Sequence, residues 1–124
     1  MTNMIGSKIW AIPGGCIPDK SSGQEPLNTS RDTICILNVN DGVAHISITI
    51  YYPDKDPVGP YLISVESRRV RHIRFNDLID PEPILLDTIY AALIESDIPV
   101  VIQFTRVDTS AGNMTICSTM AFPV

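Results

Sequence analysis

The chain has 124 residues, 44% of them hydrophobic and 19% charged, with a formal net charge of -5. That length and balance fit one ordered domain, residues 1–124, with a single core, and they exclude a disordered segment. The acidic balance opposes a polyanion as a general partner, and no apolar run is long enough to span a bilayer as a helix.

In chain order, KIWAI (8–12) is the first candidate strand. The apolar run before Pro13 is only four residues, too short for a signal-peptide core. Three cysteines (Cys16, Cys35 and Cys117), odd in number and without C-x-x-C spacing, read as reduced thiols, so the expected compartment is cytoplasmic. TICILNV (33–39) and VAHISITIYY (43–52) follow. In the second, Ala44, Ile46, Ile48, Ile50 and Tyr52 alternate with Val43, His45, Ser47, Thr49 and Tyr51, the period of a half-buried strand. Asn40-Asp41-Gly42 lies between the two runs and predicts a hairpin. PDKDPVGP (53–60), with three prolines and a glycine, predicts a loop.

YLISVES (61–67) and VRHIRF (70–75) predict two more strands, and NDLIDPEPILLD (76–87) a connection without a usable period. Leu86, Ile89, Tyr90, Leu93 and Ile94 fall at helical spacing, with Asp87 placed to cap a short helix. The surrounding chain is otherwise strand, with turn signals about every ten residues, so the expectation is a strand at 89–96 within a sandwich. IPVVIQFTRV (98–107) and MTICSTMAF (114–122) predict the last strands. No repeat or linker divides the domain.

Few residues point to chemistry. Two distant histidines and unclustered cysteines offer no transition-metal set. Asp54-Lys55-Asp56 reads as a solvated turn, since the lysine opposes a cation. Cys16, in the glycine-rich PGGCIP, lacks any signature of a base or an oxyanion site. Cys35 and Cys117 read as small core residues. No nucleophile elbow, phosphate loop or dinucleotide fingerprint is present, so the expectation is a non-enzymatic protein without cofactor or metal. Trp10 and the four tyrosines read as packing residues, with a sugar-binding platform as the alternative.

The strongest local feature is ESRRVRHIRFNDL (66–78). Four of the nine basic residues, Arg68, Arg69, Arg71 and Arg74, lie within seven positions, together with His72. The rest of the chain has five basic and 14 acidic residues, a formal charge of -9. Alternation puts Ile73 and Phe75 toward the core and Val70, His72 and Arg74 away from it, with Arg69 and Arg71 at the exposed strand start. Two readings follow. The cluster is a solvated face paired with neighbours such as Glu66 and Asp77, or it meets anions in the working assembly. Those anions would be an external ligand or carboxylates of an adjacent subunit, such as Asp32 or Asp108.

Several segments together resemble the sensory rhodopsin transducer family. They are Trp10 with GCIP (15–18), TICILN (33–38), AHISITIYYPDKDPVGPY (44–61), RRVRHIRFNDL (68–78), SDIPVVIQFTRVD (96–108) and STMAFP (118–123). The resemblance covers almost the whole chain. It implies an all-β fold, a two-sheet antiparallel sandwich with Greek-key or jelly-roll-like connections, and a cyclic homotetramer. It further implies a signalling or binding role, with a membrane sensory rhodopsin as partner and with carbohydrate-like ligand binding and DNA binding as alternatives. His72 and Arg74 match the family's His-x-Arg pattern, and Arg106 with Asp108 its Arg-x-Asp. Cys16 stands where an aromatic residue is usual, and Arg31, beside Asp32, where a histidine is usual. Taken with the charge cluster, the candidate site residues are Arg69, Arg71, His72, Arg74, Arg106, Asp108, Arg31 and Asp32.

Overall fold

The computed structural model describes residues 5–22 and 29–124. Eight strands appear in order: β1 (Ser7–Gly15), β2 (Arg31–Asn38), β3 (Ala44–Tyr51), β4 (Val58–Val65), β5 (Arg69–Arg74), β6 (Tyr90–Asp108), β7 (Thr115–Met120) and β8 (Phe122–Pro123). A single 3-10 turn, Phe75–Asp77, follows β5. No helix among the described residues is long and apolar enough to cross a membrane.

The strands form two antiparallel sheets joined by β6. The first sheet has the order β4-β3-β6-β1-β8, and in the second β2 lies between β5 and β6, with β7 on the far side of β6. The first half of β6 pairs with β3 (Ser47↔Glu95, Ile50↔Ala92) and with β1 (Trp10↔Ile94). Its second half pairs with β2 (Ile36↔Ile102, Asp32↔Arg106) and β7 (Phe104↔Thr119). The strands expected at 89–96 and 98–107 are therefore one 19-residue strand that changes sheets at Ser96–Val100. Tyr90, Ala92, Ile94 and Ser96 are buried before the crossing and Val100, Ile102 and Phe104 after it, with Ile98 half-buried between, so the same parity holds on both sides. The helical stripe over 86–94 is coincidental, for Leu86 and Ile89 are exposed.

Backbone groups at the crossing need partners, and side chains supply several. The Trp10 indole Nε1 donates to Ser7 O and Val100 O at 2.9 and 3.0 Å. Asn40 Nδ2 donates to Pro99 O at 2.8 Å, and His45 N donates to Asp97 Oδ1 at 2.8 Å. This corner also explains why the expected hairpin between 33–39 and 43–52 does not form. β2 lies in the second sheet and β3 in the first, so residues 39–43 carry the chain between layers. Gly42, at φ 99°, takes the left-handed turn that this requires. Asn38 is fully buried, and its Nδ2 donates to the carbonyls of Gly42, Val65 and Glu66 at 3.0–3.2 Å. The loop expected at 53–60 is shorter than predicted, because Val58-Gly59-Pro60 already belong to β4, an edge strand that tolerates proline.

The core fills the space between the sheets, with Ile46, Ile48 and Ile50 from β3 facing inward along with Ile34 and Ile36 from β2. Trp10, Tyr52, Tyr61 and Tyr90 are buried in it, which makes them packing residues rather than a platform; only Tyr51 is exposed. Asn38→Ala would remove the buried donor shared by the Gly42, Val65 and Glu66 carbonyls and leave the buried Val65 carbonyl without it. We expect it to lower unfolding free energy by about 1–3 kcal/mol, measurable by urea denaturation, whereas exposed Asn113→Ala should leave the midpoint unchanged.

Candidate functional site

The eight predicted site residues separate into two places. One is a buried carboxylate network at the end of the sandwich where β6 both begins and ends. Asp32, at the start of β2, is fully buried. Its Oδ2 accepts from the Tyr90 hydroxyl at 2.7 Å and from the Cys16 backbone N–H at 3.1 Å. Its Oδ1 accepts from Arg106 Nε at 3.2 Å. Tyr90 comes from the first-sheet half of β6 and Arg106 from the second-sheet half, so one strand brings two donors to the same carboxylate from opposite layers.

Local packing fixes this geometry. A register shift between Ile12 and Gly15 breaks the β1 ladder at Pro13-Gly14, where proline has no N–H to give. Gly15 then lies against the Tyr90 ring so closely that a Cβ there would overlap it. Phe75 meets the Tyr90 ring edge-on at 5.6 Å, and Arg106 Cζ sits 6.0 Å above the Phe104 ring. Burial pushes the Asp32 carboxyl above its ordinary range, against the lowering effects of Tyr90, Arg106 and the Cys16 N–H. Burial and the adjacent Asp32 likewise raise the Tyr90 phenol, keeping it a proton donor to the carboxylate.

Arg106 continues outward. Its side chain is 36% exposed and lines a groove of about 400 Å³ between Ala11–Gly14 of β1 and Cys117–Phe122. Asp108 and Arg31 lie close in sequence but outside this network. Asp108 Oδ1 accepts from the Ser110 hydroxyl and N–H at 2.6 and 2.9 Å, which hold its carboxyl below the ordinary range. Arg31 Nη1 donates to Thr29 O at 3.1 Å.

The second place is β5, which pairs only with β2 and so forms an edge of the second sheet. Ile73 is buried and His72 and Val70 are exposed, as alternation predicts. Arg69 Nη1 donates to Arg68 O at 3.0 Å, and Arg71 Nη1 reaches across to Ser64 O on β4 at 2.8 Å. Arg74 is half-buried, and its Nε has no acceptor. Among the described residues none of these three arginines has a carboxylate within 4.0 Å; only Arg68 does, at 3.7 Å from Asp41. The expected pairing with Glu66 and Asp77 is absent there. Asp32 is sealed inside its own chain against Arg106, so it is not the carboxylate that meets β5 of a neighbour.

His72 stands in a cross-strand row with Cys35, Gln103 and Met120 on the outer face of the second sheet. Val70, Leu37 and Met120 are exposed on that face, around a shallow depression of about 210 Å³. Cys35 is half-buried there, and burial raises its thiol. The core assignment of Cys117 is corrected: β7 is exposed along its whole length, because the first sheet does not extend over it. Cys16 contributes its backbone N–H to the Asp32 network. Sequence reading missed Tyr90 as a site residue; the available signal was its inward parity with Arg106 on one continuous strand.

Because the folded state raises the Asp32 carboxyl, it binds that proton more tightly than the unfolded chain does. The stability this confers is complete below the unfolded carboxylate value and is lost as pH rises through the folded one. Asp32→Asn lacks the titration. Its stability relative to the unmodified protein should therefore rise as pH increases from the unfolded carboxylate value, about 4, through the higher folded one, followed by denaturation at each pH. A fall over that range would mean that Arg106 outweighs burial.

A family model described as Anabaena sensory rhodopsin transducer matches residues 5–123. Among solved structures, the Anabaena sensory rhodopsin transducer shares 52% identity with a TM-score of 0.77, over 84% of this chain and 100% of its own. Thermotoga maritima 1070 shares 29% identity with a TM-score of 0.88, over 98% of this chain and 97% of its own. No curated protein matches the chain significantly.

Proposed function

This chain belongs to the Anabaena sensory rhodopsin transducer family, and from that premise we propose a non-enzymatic signalling module that works by contact. It acts in the cytoplasm as a homotetramer, and the outer face of its second sheet, with β5 at the edge, receives an acidic surface of a membrane sensory rhodopsin or an equivalent partner. The observation that carries this reading is the state of the arginines. Arg69, Arg71 and Arg74 sit on an otherwise acidic chain with no carboxylate within 4.0 Å among the described residues, beside the exposed apolar Val70, Leu37 and Met120. Neighbouring guanidiniums repel one another, and an acidic partner relieves that repulsion while the apolar residues supply contact area. Binding to one state of the assembly then shifts its population.

Self-association is supported by β7. Its six residues, Thr115–Met120, are all exposed, include no charge or proline, and leave one edge unpaired among the described residues. An edge of this composition is stable in solution when another chain covers it. DNA binding through the same arginines is disfavoured by the charge of -9 on the rest of the chain, which repels phosphates.

Light scattering on a sizing column should give a particle of about four 13.6 kDa chains; a monomer at micromolar concentration would refute the assembly. Titration against a sensory rhodopsin in detergent, at low and moderate salt, tests the face. Arg74→Ala and His72→Ala should weaken binding about tenfold, and the exposed Arg68→Ala by less than about twofold. Equal, negligible effects of all three would reduce β5 to a solvated edge.

A further inference from the structure

We propose that the groove beside Arg106 binds a small organic monocarboxylate with an apolar body, seated with its carboxylate on the Arg106 guanidinium. No β5 residue lines this site, though it shares Met120 with the outer face and takes one wall from β7; it does not depend on rhodopsin docking.

The groove is built around one cation. Arg106 is fixed at Nε by Asp32, and its Nη2 has only a long contact, 3.4 Å, with Gly14 O. Nη1 has no protein acceptor among the described residues, so the terminal fork remains available at the groove. Asp32 is fully buried, and its burial is costly, since a well-packed apolar residue would serve stability as well or better. Its effect on Arg106 is positional. Tyr90 and the Cys16 N–H hold the carboxylate, and the carboxylate holds the guanidinium, so the fork is presented with little freedom left to lose on binding.

The walls set the class of ligand. Ile12, Pro13, Phe104, Met120 and Phe122 make them largely apolar, and about 400 Å³ suits a small molecule. A single guanidinium matches one carboxylate in a forked pair of hydrogen bonds. A dianionic phosphate would need further cations, and neither lysine nor a second arginine lines the groove. A sugar would leave hydroxyls against apolar walls without partners.

Hexanoate is a suitable probe, with hexanol as the uncharged molecule of the same body and inorganic phosphate as the compact anion. Amide resonances are followed in the full chain. Hexanoate should give saturable shifts confined to residues 11–14 and 117–122, with a Kd at least about tenfold below those of hexanol and phosphate. Arg106→Gln should weaken hexanoate at least about tenfold. Thr119→Trp, which fills the groove opposite Phe104 and leaves Asp32 and Arg106 untouched, should do the same and covers the case in which Arg106→Gln fails to fold. The proposal is overturned by any one of four results: no saturation by about 50 mM, equal affinity for hexanol, tighter binding of phosphate, or unchanged hexanoate binding in Thr119→Trp.

Discussion

The structure depends on β6 keeping one alternation while serving two sheets. A slip of one residue anywhere in Tyr90–Asp108 would turn every later inward side chain outward. Ile102 and Phe104 would leave the core, and Arg106 would lose Asp32. The crossing at Ser96–Val100 preserves parity because the backbone groups freed there are taken up locally by Trp10, Asn40 and Asp97. Those side chains come from β1, the 39–43 turn and β6 itself, so the corner ties both sheets to the same few residues. Asn38 extends this tie to the end of β4 through the carbonyls of Val65 and Glu66.

The opposite end of the sandwich follows from the same strand. Since β6 begins under one sheet and ends under the other, its first residue, Tyr90, and Arg106 near its end converge on Asp32. A hydrophobic closure would have been simpler at that point. A buried carboxylate with three donors instead creates a polar joint that fixes a guanidinium at the surface, and it depends on the bulge that brings Gly15 and the Cys16 N–H into place. The Asp32 network is thus a product of strand parity, a proline-induced ladder break and the absence of a side chain at Gly15.

Charge is distributed among the sheet edges in a way that separates their uses. β5 carries Arg69, Arg71, His72 and Arg74, and side chains of this kind protect an edge against unselective pairing. β7 has no such protection, and Ile116 and Met120 stand 61% and 55% exposed on it. One edge is therefore selective through charge, and the other is open to main-chain pairing. Both belong to the second sheet, on either side of the β2–β6 pair.

The sequence by itself determined the strand composition, because a period of two is a local property. Alternation in 43–52 and 70–75 identified the buried faces, and the inward placement of Ile73 follows from it. Turn chemistry at Asn40-Asp41-Gly42 marked a reversal but not its partner strands, since a turn into the facing layer and a hairpin use the same residues. The tertiary structure decided which strands pair, that 89–96 and 98–107 are one strand, and that Cys117 lies on an uncovered edge. It also decided the fate of the charges. Asp32 and Arg106 are 74 residues apart and meet only because β2 pairs with the far half of β6, while the arginines of β5 reach no carboxylate among the described residues. Burial and ion pairing are set by contacts between distant segments, and a linear pattern carries residue type and period but not the distance between such segments.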